Sequence, residues 1–205
     1  MRRCLAFVYC GLTLGLALLL ALPLAFTGVA RLHAQTTTPA TGEKPEVDVA
    51  LVLAVDISFS MDLDELALQR EGYVQALKSR EVKDAIAKGA VGKIALTYVE
   101  WAGLQAQYVT VPWMIIDSAD AADAFAEKLA EAPTRRGRRT SVSGAIDLGM
   151  RMLAEAPARP LKRVIDISGD GPNNEGRPVT EARDDAVRQG VTINGLPVML
   201  KAPGY

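Results

Sequence analysis

The stretch from Val49 to Ser60 constrains the rest of the chain. It reads Val-Ala-Leu-Val-Leu-Ala-Val-Asp-Ile-Ser-Phe-Ser, seven apolar residues that run straight into a carboxylate and two hydroxyls. Such a run matches a central parallel strand buried on both faces. In open α/β sheets the crevice beyond the strand C-termini collects ligands, so the end of this strand is where a site belongs. Asp56, Ser58 and Ser60 alternate, which lets one extended loop turn three oxygens the same way. Hard oxygen donors suit Mg²⁺, Mn²⁺ or Ca²⁺ rather than zinc or copper. A plainer reading competes: Asp62 with Glu65 three residues on forms a capping box with no metal at all.

The chain has 205 residues, 49% of them apolar, enough for one domain core. A net charge of −1 and few long blocks of one sign argue against nucleic acid as a partner. Cys4, Cys10 and His33 are the only cysteines and histidine. The domain beyond them can therefore build no thiolate nucleophile, Ser-His-Asp triad, Cys/His zinc site or disulfide. Its chemistry is confined to carboxylates, hydroxyls, Lys, Arg, Tyr and a hard cation.

Arg2 and Arg3 precede an uncharged run from Leu5 to Ala30. Residues 1–34 read as a signal peptide or an N-terminal membrane anchor, and either places the domain outside the cytoplasmic membrane, in the periplasm or tethered at its outer side. Residues 35–46, rich in Thr, Pro and charge, read as a linker, and the domain runs from about Val47 to the end. Helical spacing follows in Leu66, Tyr73, Val74 and Leu77, then a short helix carrying Val82 and Ile86. A strand is expected over Lys93 to Val99. Gln107 to Trp113, interrupted by Pro112, fits an antiparallel edge strand beside it. Ser118 caps a helix with Phe125 and Leu129 inward, and Thr140 or Ser141 caps another. Leu161 to Ser168 is a strand, Pro178 opens a helix and Val191 to Leu196 is a last strand. The alternation gives a three-layer, doubly wound, mostly parallel α/β sheet.

Three loops thus end strands or open helices with oxygen side chains: Asp56, Ser58 and Ser60; Thr140; and Asp170. Their order and spacing resemble the von Willebrand factor A fold and its metal-ion-dependent adhesion site. The resemblance implies that these five residues hold one divalent cation, Mg²⁺ first, with Mn²⁺ or Ca²⁺ as alternatives. Glu100-Trp101-Ala102-Gly103 and Gly169-Asp170-Gly171-Pro172-Asn173-Asn174 resemble a bacterial exported branch of that superfamily, of unassigned function. The implied function is an exported, non-catalytic module that binds a protein or peptide through an acidic side chain on the cation. Membrane contact is expected only through the N-terminal segment. The rival readings are a metal-assisted hydrolase with Glu100 or Asp64 as base, and a metal-free scaffold of an envelope complex.

Glu100, Asn173 and Arg139 are expected at the site rim or behind the ligands. Two positions depart from the family pattern: Phe59 and Arg138-Arg139 stand where glycines are common. Phe59 is expected to crowd the site or pack beneath it, and the two guanidinium groups to weaken cation affinity by like-charge repulsion. Asp166, inside an apolar strand, should pair with a hydroxyl or an arginine. The von Willebrand A sheet has six strands in the order 3-2-1-4-5-6, closed by a final strand and helix. Only five can be placed before Tyr205, so the domain is expected to be C-terminally incomplete, with Val191 to Leu196 left as an apolar edge.

Overall fold

The computed structural model describes residues 43–198. The signal or anchor segment, most of the linker, Met199 and Leu200 lie outside the described residues. Among the described residues no helix is long and apolar enough to cross a membrane.

The strands are β1 (Glu46–Asp56), β2 (Ile94–Trp101), β3 (Gln107–Ile116), β4 (Arg159–Gly169) and β5 (Val191–Pro197). The helices are α1 (Leu63–Lys78), α2 (Arg80–Ala87), α3 (Ala119–Ala130), α4 (Val142–Ala154) and α5 (Val179–Arg188). The sheet order is β3-β2-β1-β4-β5, with β1 in parallel pairing on both sides and β3 antiparallel to β2. This is the doubly wound α/β architecture expected from the strand and helix alternation. Chain entry is tighter than a free linker: Arg159 N–H donates to Pro45 carbonyl at 2.8 Å and Lys44 Nζ to Ala156 carbonyl at 2.7 Å, so β1 starts already paired to β4.

Two cores form because β1 alternates. Ala50, Val52 and Ala54 face α4 and α5, together with Val99, Ile146, Ile165 and Ala186. Leu53 and Val55 face the other layer, with Val74, Leu96, Tyr98, Phe125 and Leu129. Tyr73 meets Tyr98 edge to face, ring centroids 5.6 Å apart. Gly149 lets α4 approach β4 closely: a Cβ there would lie 2.7 Å from Ile165 Cδ1.

The edge strand is longer than expected, reaching Ile116, because a register shift between Leu96 and Tyr98 absorbs Pro112 while Thr97 Oγ1 donates to Val111 carbonyl at 2.8 Å. Asp166 takes neither of its expected partners. Its Oδ1 accepts from Asn194 Nδ2 of β5 at 2.7 Å, an adjacent cross-strand amide that a sequence cannot place without knowing the register.

Candidate metal-binding loops

Asp56 ends β1, between the C-termini of β2 and β4, and is fully buried. Its Oδ1 accepts the Ser58 N–H at 2.7 Å, which folds the loop back and turns the Ser58 hydroxyl toward Ser60 Oγ, also 2.7 Å away. Ser60 Oγ donates to Asp170 Oδ1 at 2.7 Å, joining the loop after β1 to the loop after β4. Thr140 sits 5% exposed, fixed from behind by Asn174: its N–H donates to Asn174 Oδ1 at 2.9 Å and its carbonyl accepts the Asn174 N–H at 2.8 Å. A Cβ built at Gly171 would lie 3.8 Å from Ser60 Oγ and 4.0 Å from Thr140 Oγ1, so the third loop reaches the same place. All five oxygen-bearing residues converge.

Asp56 Oδ2 is the telling atom. It is buried with no hydrogen-bond partner among the described residues. An orphaned carboxylate oxygen is costly unless something positive completes it. Burial pushes the Asp56 carboxyl up to about 6, against the opposing pull of hydrogen bonds from Ser58 and the Asp170 backbone and with a smaller push from the Asp170 charge. An oxygen-rich set with one unsatisfied anionic atom fits a hard divalent cation. No cluster of three His, Cys, Asp or Glu residues suited to a metal occurs among the described residues, so hydroxyls carry most of this set. Gly169 belongs to the design as well: a Cβ there would sit 2.9 Å from Asp56 Oδ2 and 3.4 Å from Trp101 Cζ2. The sequence shows a glycine beside Asp170 but not which carboxylate it makes room for.

The rim residues fall differently. Glu100 does not reach the site. It projects from β2 with Leu96 and Tyr98, toward α1, while Trp101 turns toward Gly169. There it is 1% exposed and held by Arg70 at 2.6 Å and Arg135 at 3.2 Å. Strand alternation, one residue off from the site, is the physical reason. Asn173 serves α4 rather than a ligand, its Oδ1 accepting the Ser143 N–H at 3.2 Å. Ser141, not Thr140, is the α4 cap, accepting the Gly144 N–H at 3.1 Å. That leaves the Thr140 hydroxyl free of capping duty.

Phe59 neither crowds the site nor packs beneath it. It is 53% exposed, with the Arg136 guanidinium 4.8 Å above its ring. Arg136 also donates to Phe59 carbonyl at 3.1 Å, and Ser58 forms a parallel bridge with Gly137. The loop at 134–139 is thereby stapled to the loop after β1. Met61, fully buried, anchors the same turn from below, and the capping box of Asp62 and Glu65 is present beside the site rather than instead of it.

Arg139 has φ of 67°, the left-handed region, and is the single non-glycine there among the described residues. An L-residue in that conformation costs about 1–2 kcal/mol, offset against the roughly 0.5–1 kcal/mol of extra chain freedom a glycine would lose. Arg139→Gly is therefore expected to leave the fold unchanged or stabilise it by up to about 1 kcal/mol. Urea unfolding checks this; a clear loss of stability would mean that the Arg139 side chain itself holds the loop.

A family model described as "Protein of unknown function (DUF1194)" matches residues 46–204. The chain belongs to this family. No curated protein matches the sequence. Among solved structures, proximal thread matrix protein 1 from the mussel byssus, with a zinc-occupied MIDAS motif, aligns with a TM-score of 0.58 at 14% identity, over 75% of this chain and 39% of that one. An aerotolerance-related membrane protein from Bacteroides fragilis NCTC 9343 gives 0.52 at 20% identity, covering 77% and 75%. The pilus adhesin SpaC from Lactobacillus rhamnosus GG gives 0.52 at 13%, covering 76% and 25%. The DUF1194 chain spans about two fifths of the byssus protein and a quarter of the adhesin. These likenesses establish a von Willebrand A-like fold.

Proposed function

We propose that this DUF1194 domain is an exported, divalent-cation-dependent protein-binding module without catalysis of its own. The observation that carries the reading is Asp56 Oδ2, buried and without a hydrogen-bond partner among the described residues, in a loop whose Ser58 and Ser60 hydroxyls are linked and run on to Asp170. Asp56, Ser58, Ser60, Thr140 and Asp170 would hold the cation, Mg²⁺ first and Mn²⁺ or Ca²⁺ next. When bound it supplies an electrophilic point on the surface that an acidic side chain of a partner can complete. Ser60 and Asp170 are exposed, which leaves the mouth of the site open to a macromolecule. The matrix protein and the pilus adhesin among the structural neighbours agree with an interaction role. Against the hydrolase alternative stands Glu100, one of its two candidate bases with Asp64, held on the other face of the sheet by two arginines.

The test is thermal unfolding of the purified protein with and without metal. A ligand that binds only the folded state at a hundred times its Kd adds about 2.7 kcal/mol, which for a domain of this size is roughly 5–10 °C in Tm. Mg²⁺ or Mn²⁺ is expected to give that rise. Asp170→Ala, at an exposed position, should abolish it while the protein stays folded, and Gly169→Ala should reduce it by placing a methyl against Asp56 Oδ2. A folded wild-type protein whose Tm ignores millimolar metal would end this reading.

A further inference from the structure

The four arginines of the loop before Thr140 do different work. Arg135 is spent on Glu100 and on the Tyr108 ring, 5.1 Å from its guanidinium. Arg136 is spent on Phe59 and on the carbonyls of Phe59 and Met61. Arg138 and Arg139 are exposed, and neither pairs with a carboxylate among the described residues. The backbone places them at the mouth of the site: Arg138 carbonyl accepts the Gly103 N–H at 3.0 Å, Arg139 immediately precedes Thr140, and Gly137 is bridged to Ser58. Glu175, the acidic neighbour on this rim, is engaged through Oε2 by the Leu104 N–H at 2.7 Å. With Asp56 and Asp170 balanced by one divalent cation, Arg138 and Arg139 bring two positive charges to this rim against one negative charge from Glu175, which the Leu104 N–H orients without neutralising. Arg139 is moreover held at a positive φ that glycine would adopt without strain, so the side chain persists against a local preference.

We infer that Arg138 and Arg139 read a second feature of the partner: an acidic run in which one carboxylate goes to the cation and its neighbours go to these two guanidinium groups. This rests on the cation reading above and adds the chemistry of the partner to it. An isolated glutamate would engage only the metal, whereas a Glu-Asp-Asp segment engages metal and arginines together. The arginines thus act as a selectivity element, and their cost to cation affinity is recovered when an anionic segment arrives.

The experiment uses two synthetic nonapeptides on the same Ser/Gly/Ala frame, one with a single glutamate and one with that glutamate followed by two aspartates. Each is titrated calorimetrically into the purified protein in Mg²⁺, in chelator, and in Mg²⁺ at high salt. The acidic-run peptide is expected to bind roughly three- to tenfold more tightly than the single-glutamate peptide in Mg²⁺, since exposed charge pairs contribute modestly and are screened by salt. That gap should close in Arg138→Ala/Arg139→Ala and at high salt, but persist in Arg80→Ala/Arg159→Ala, which removes the same charge at the opposite end of the strands. The Mg²⁺-induced Tm rise in the first double variant reports that it is folded and loaded. Equal, Mg²⁺-dependent binding of both peptides overturns the arginine inference and leaves the cation reading standing. A preference for the acidic run that survives chelator, with no binding of the single-glutamate peptide, supports the arginines and overturns the cation reading. A gap that persists without Arg138 and Arg139, or no binding of either peptide, overturns the inference.

Discussion

Glu100→Ala is expected to destabilise the domain by about 3 kcal/mol, the low end for breaking a buried ion pair, with a Tm fall of roughly 6–12 °C. The magnitude follows from asymmetry. Glu100 is 1% exposed and the Arg70 side chain 15%, so removing the carboxylate leaves a guanidinium with no anion, beside the carbonyls of Ala132 and Pro133 and the Tyr98 hydroxyl. Arg135, 34% exposed, can turn to water and softens the loss. Glu100→Gln keeps the shape and one acceptor and should lose less. Since Glu100 faces away from the oxygen loops, the Mg²⁺-induced rise in Tm should survive in both variants. Chemical denaturation of the three proteins checks the order; an alanine variant within 1 kcal/mol of wild type would show that water already reaches the pair.

Gly149→Val should cost a comparable amount, about 3 kcal/mol, at the upper end of ordinary overpacking. A Cβ at that position would lie within 3.0 Å of three side-chain carbons of Ile165, which is itself fully buried at the centre of β4 and has nowhere to go. Gly149→Ala should cost less. Ile165→Val in the alanine background should restore part of the loss, because two residues in direct contact are coupled. Equilibrium unfolding of the set measures that coupling, and strict additivity would mean that α4 shifts as a unit instead of clashing.

Much of this was legible in the sequence because hydrophobic period and oxygen placement are local properties. Seven apolar residues before Asp56 announce a strand buried on both faces, and the Asp56, Ser58, Ser60 spacing announces where its end points. The antiparallel β3 follows from its short connection to β2, while the five-strand order is what the resemblance to the von Willebrand A fold implies. What was not legible depends on which of two faces a residue joins once the sheet has paired. Glu100 and Trp101 are neighbours in sequence, yet one enters the layer of α1 and the other lines the site loops. Position alone puts Phe59 against the site, but the arginine that holds it outward lies 77 residues further on. Asp166 found an amide on β5 whose register no local pattern discloses. Arg139 read as a charge, whereas its unusual backbone angle is visible only in three dimensions.

The pairing of β1 on both sides has a kinetic consequence. Val49 lies opposite Ile94 on one flank and Lys162 on the other, so the central strand is completed only when segments distant in sequence have met. Long-range parallel pairing of this kind makes for slow folding, and a growing chain cannot finish its core before β4 is available. Asp170 lies just beyond that strand, so the oxygens assemble after the sheet rather than seeding it. An interaction absent from the folding transition state leaves the folding rate almost untouched and acts on the reverse step. Cation binding should therefore lengthen the lifetime of the finished domain without hastening its birth, which makes it a source of kinetic rather than folding advantage.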